Sequence, residues 1–78
     1  MPTVLRVGRF RFFFYSSDRA EPVHIHVEAG KGTAKLWLEP VRLAASRGMG
    51  RPELSRLQQL VVDHRDILVR AWHAHFNG

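Results

Sequence analysis

The stretch Glu21-Pro22-Val23-His24-Ile25-His26-Val27-Glu28 alternates without interruption, setting Val23, Ile25 and Val27 against His24, His26 and Glu28. Successive side chains of a β-strand leave opposite faces. The run is therefore a strand with one apolar face and one face that carries two imidazoles side by side. Pro22 fits at the start of such a strand, because it has no N–H to give to a ladder.

Working outward, residues 16–22 are a polar turn, preceded by an aromatic-rich strand over 10–15 and a shorter strand over 4–7, with Gly8-Arg9 between them. After the histidines, Ala29-Gly30-Lys31-Gly32 is a turn in which glycine permits positive φ. A fourth strand follows over 33–39 and stops at Pro40. Residues 41–50 read as irregular, with a helical turn over 42–46 and an interruption at Gly48-Met49-Gly50. Pro52 suits the first turn of a helix and Glu53 its positive end. From there helical periodicity runs to Phe76, with Asn77-Gly78 as a stop.

At about 100° per residue this helix gathers Leu54, Leu57, Leu60, Val61, Ile67, Leu68, Ala71 and Trp72 into one stripe. Arg56, Gln59, Asp63, Asp66 and Arg70 fall opposite. The sheet is the only apolar surface available to receive the stripe. The expected fold is thus one α+β domain spanning 1–78: a four-stranded antiparallel sheet with one long C-terminal helix packed on one face. The helix-facing set is Phe10, Phe12, Phe14, Val23, Ile25, Val27, Ala34, Leu36 and Leu38. The same stripe places His64 and His75 among buried neighbours, and His73 outside.

Composition narrows the function class. A chain of 78 residues holds one core. It has no cysteine, which excludes disulfides and thiolate zinc sites and suits a reducing cytoplasm. Its longest apolar run, Phe12 to Tyr15, is far too short for a membrane span, so a soluble cytoplasmic protein is expected. Twelve Lys and Arg against seven Asp and Glu give a net charge of +5 distributed through the domain, which favours nucleic acid or an acidic protein as partner.

With one helix covering one face, the other face is a platform of Arg11, Phe13, Tyr15, His24, His26, Glu28, Thr33, Lys35, Trp37 and Glu39. Aromatic rings between cations can stack bases while holding phosphates. The same rings equally suit a protein interface. Arg11, Phe13, Tyr15, Lys35 and Trp37 are accordingly the candidate nucleic-acid or partner contacts. If the platform is catalytic, His24 and His26 are acid and base of a metal-independent ribonuclease, with Arg11 or Lys35 on the developing phosphate charge. A same-face histidine pair also chelates metals, but a catalytic site needs a third ligand and Glu28 lies one step too far along. The leading expectation is therefore no metal or other cofactor, with a histidine metal site as the third alternative, strengthened if His64 and His75 meet His24 and His26.

Met1-Pro2-Thr3-Val4, the Arg11-to-Ser16 run, Glu21-Pro22-Val23-His24-Ile25-His26-Val27, Ala34-Lys35-Leu36-Trp37-Leu38-Glu39-Pro40 and the late Trp72 resemble a small bacterial family, domain-of-unknown-function family 4160. The likeness covers nearly all of the chain. It implies no catalytic residue. It does imply genes lying beside those of another small domain family, as in toxin–antitoxin pairs. The partner would then be that neighbour's product or a second copy of the chain, with RNA as the other candidate.

Overall fold

The computed structural model describes residues 3–77, so Met1, Pro2 and Gly78 of the opening motif and the C-terminal stop lie outside it. Five strands, β1 (Thr3–Val7), β2 (Phe10–Phe13), β3 (His24–Ala29), β4 (Gly32–Leu38) and β5 (Val41–Arg47), form a single sheet in the order β1-β2-β3-β4-β5. Every neighbouring pair is antiparallel. A 3-10 turn, Ser16–Ala20, joins β2 to β3, and helices α1 (Arg51–Asp63) and α2 (Arg65–Asn77) close the chain.

The α+β class and the antiparallel sheet match expectation; the element count does not. The segment over 42–46 is not helical: it lies within β5, a fifth strand that returns from the Glu39-Pro40 turn to pair with β4. The register shows why its pattern is hard to read. Leu36 pairs with Leu43 and Lys35 with Ala45, so Ala44 is an extra residue, a β-bulge. The bulge resets the alternation, and Arg42 and Arg47, five positions apart, end on the same face opposite Trp37 and Thr33. Val4 is the corresponding extra residue in β1, where Thr3 pairs with Phe13 and Arg6 with Arg11.

The expected long helix is two. His64, with φ −110° and ψ 13°, lies between them. Its Nδ1–H donates to the Leu60 carbonyl at 2.8 Å, a carbonyl that also accepts the His64 backbone N–H at 3.0 Å. A side chain competing for a helical carbonyl is an identifiable cause of a helix break. The change of phase leaves Ile67 53% exposed rather than in the stripe.

Leu57, Val61, Leu68 and Trp72 nevertheless reach the core, packing with Phe10, Phe12, Phe14, Ile25, Val27, Leu36 and Leu38. Arg65 fixes the start of α2 to the end of β4: its Nε donates to the Leu38 carbonyl at 2.8 Å and a terminal nitrogen meets Glu39 Oε2 at 3.2 Å. Both helices pack on the β3–β5 side of the sheet, and no helix among the described residues is long and apolar enough to cross a membrane.

Candidate functional site

Asp18 is the residue that turns the histidine pair into a site. After β2 the chain runs extended through Tyr15 and folds into the 3-10 turn. The Asp18 backbone N–H donates to the Tyr15 carbonyl at 3.1 Å, and its Oδ2 accepts the Tyr15 backbone N–H at 2.8 Å. This closed local turn holds the carboxylate, 7% exposed, over the start of β3. Its other oxygen, Oδ1, lies 3.1 Å from Nε2 of His24 and 3.1 Å from Nε2 of His26.

Those two contacts differ in kind. His26 Nε2–H donates to Asp18 Oδ1. His24 Nδ1–H donates to the Pro22 carbonyl at 2.8 Å, because a carbonyl can only accept. His24 Nε2 then has no hydrogen-bond partner, despite its closeness to Oδ1. Burial is the largest influence on Asp18 and raises its pKa. The Tyr15 N–H, the His26 bond and the nearby His24 ring together outweigh it and hold the carboxyl below its ordinary value.

His24 is 0% exposed, which corrects the expectation of two imidazoles on an open surface. Three rings enclose it: His26 at 5.0 Å, Trp72 at 5.1 Å and Trp37 at 5.6 Å between centroids. Trp72 comes from α2, so the end of the platform that holds His24 is capped by the helix layer. His26 keeps an exposed edge. It stacks on Phe13 at 5.7 Å and meets Tyr15 edge-on at 4.6 Å. Phe13 is only 3% exposed, because Arg11, His26 and Tyr15 cover it. Of the three aromatics expected on the platform, Tyr15 alone is exposed, at 41%.

The two expected cations are already neutralised. Arg11 Nε donates to Glu28 at 2.7 Å and a terminal nitrogen to Thr3 at 3.1 Å, and its guanidinium lies 4.4 Å from the Phe13 ring centre. The hydrogen bond from Arg11 is the main reason the Glu28 carboxyl lies below its usual range. Lys35 pairs with Glu21 and lies over Trp37 at 4.6 Å. Arg6, Arg42 and Arg47 are exposed on this face, and none of them is in an ion pair among the described residues. A cavity of about 300 Å³ opens between Tyr15, His26, Lys35 and Arg47.

Sequence reasoning missed Asp18, Arg6, Arg42 and Arg47. Arg6 faces this side simply through its pairing with Arg11, Arg42 required β5 to be read as a strand, and Arg47 required the bulge at Ala44 to be counted. Asp18 required recognition that an aspartate three residues after an extended Tyr15 can accept that residue's N–H and fold back. His64 and His75 do not join the cluster, whose donors among the described residues are Asp18, His24 and His26. His64 is half-buried at the helix break. His75 is exposed, against the expectation of burial, with its ring 5.7 Å from Phe14. His73 is exposed as expected.

The family comparison agrees with the resemblance read from the motifs. The family described as Domain of unknown function (DUF4160) matches residues 9–73. The chain belongs to that family. The matched span takes in every strand from β2 to β5, the Asp18 turn, both site histidines and Trp72. Neither a curated protein nor a solved structure matches the chain.

Proposed function

We propose that the protein is the RNA-contacting member of a two-gene module resembling toxin–antitoxin pairs, and that a single strand of RNA lies across the sheet face opposite the helices. The observation that carries this reading is the set of unpaired arginines, Arg6 on one edge strand and Arg42 and Arg47 on the other, flanking the exposed ring of Tyr15. Guanidinium groups on both margins would hold phosphates, and an exposed ring between them would stack a base. The net charge of +5 supports the same reading. His24 has no exposed edge, so this reading is of binding and assigns it no acid or base role on RNA.

Binding of an unstructured RNA oligonucleotide, followed by fluorescence anisotropy across a salt series, tests it. Each phosphate contact contributes a slope of about −0.7 in log K against log salt. The triple variant R6Q/R42Q/R47Q should flatten the slope by about two units. Tyr15→Ala should cost about 1–3 kcal/mol in affinity. No binding, or an unchanged slope in the triple variant, removes the proposal.

A second reading, a non-enzymatic interaction domain, is favoured by β5. It ends the sheet, and among the described residues no strand pairs with its outer edge. Exposed strand edges are templates for another chain. Sedimentation of the isolated protein distinguishes the two: a dimer that a proline at Ser46 converts to monomer, without RNA affinity, supports the interaction domain.

A further inference from the structure

We infer that Asp18, His24 and His26 form a binding site for a divalent transition-metal ion, with Zn2+ as the ion the donor set suits. The donor atoms are Oδ1 of Asp18 and Nε2 of each histidine, all within 4.8 Å of one another. On binding, His26 would give up the Nε2 proton it donates to Oδ1 and keep its ring proton on Nδ1. In a tetrahedral zinc site, bonds of about 2.0–2.2 Å set neighbouring N and O donors about 3.3 Å apart. Here both histidine nitrogens stand 3.1 Å from the carboxylate oxygen. Two imidazoles and one carboxylate, with no thiolate, are a zinc or iron(II) donor set rather than one for calcium or magnesium.

The second observation is the state of His24. Its Nδ1–H is committed to the Pro22 carbonyl, which is how metal-ligating histidines are oriented from behind. Nε2 is then buried and without a hydrogen-bond partner beside a carboxylate oxygen, and in the neutral form of the ring it presents a lone pair there. A buried polar atom left unpaired costs about 1–3 kcal/mol. Two electron-rich atoms side by side repel each other, and a cation between them would reverse that sign. Asp18 is oriented in the same fashion, its second oxygen held by the Tyr15 N–H. Three protein donors leave a four-coordinate ion one ligand short. His26 and Tyr15 also line the adjoining cavity, from which water or an anionic oxygen would complete the shell. The site does not depend on RNA binding, and its test uses the protein alone.

The experiment is titration of tag-free protein, stripped with EDTA and desalted, with Zn2+ by calorimetry and with Co2+ by visible absorption. One equivalent of Zn2+ should bind, Co2+ should show the intense d–d bands of a low-symmetry four-coordinate site, and D18N and H26Q should each weaken binding by at least about tenfold. The double variant H73Q/H75Q should bind as the parent does. Should a site variant fail to fold, nitrogen-15 spectra of the parent decide: Zn2+ should move Nε2 of His24 and His26 and leave His64 unmoved. Absence of saturable binding, full affinity in D18N, or Zn2+ shifts confined to other histidines would overturn the inference.

Discussion

His24 and His26 are two residues apart, leave the same face of β3, and live in different environments. His26 keeps solvent along one edge, whereas His24 fills a closed space between Trp37, Trp72 and His26. Removing the buried ring leaves a void and an unanswered Pro22 carbonyl. His24→Ala should therefore destabilise the metal-free protein by about 2–4 kcal/mol in urea unfolding, while His73→Ala should stay within about 0.5 kcal/mol. Equal effects would show that the packing around His24 is not a structural contribution. At the far end of the same strand, Arg11 holds the Glu28 carboxyl below its usual range. A depressed carboxyl stabilises the fold above its unfolded pKa, near 4.3, and that contribution fades as pH falls through the lower folded value. Glu28→Gln should thus reduce the loss of melting temperature between about pH 5 and pH 3. A parallel acid profile in parent and variant would count against the pair.

At the level of elements, Arg65 adds a polar tie to the apolar packing of helices on sheet, reaching across to the Leu38 carbonyl and Glu39. Arg65→Met keeps much of the stem and deletes both bonds. It should cost about 1–2 kcal/mol and leave RNA affinity unchanged, because the residue belongs to the helix layer. The β3 and β4 hairpin and the core stripe of the helices were legible in the sequence, because Val-His-Ile-His-Val and Ala-Lys-Leu-Trp-Leu alternate cleanly and Leu57, Val61, Leu68 and Trp72 recur at helical spacing. β5 was not, because Ala44 breaks the period and Ala-Ala-Ser offers no contrast between faces. Nor was the break at His64, which comes from a side-chain bond to Leu60 rather than from a glycine or proline. In the site, periodicity exposed the two histidines but not Asp18. A residue that folds back from a 3-10 turn has no period to betray it.

For the whole molecule, 78 residues bury only a modest core, so added binding energy bears directly on stability. The proposed ion would join the 3-10 turn to β3, two segments otherwise connected around Asp18 through the His26 bond. An ion that binds only the folded chain stabilises it by about 2.7 kcal/mol at one hundred times its dissociation constant. For a domain of this size each kcal/mol moves the melting temperature by about 4–8 °C. Thermal unfolding with Zn2+ at that excess should therefore be raised by about 10–20 °C over EDTA-treated protein. D18N should show a small rise or none. An equal rise in parent and D18N would mean that Zn2+ acts elsewhere on the surface. A rise confined to the parent would make the turn before β3 part of the folding unit because it carries a ligand.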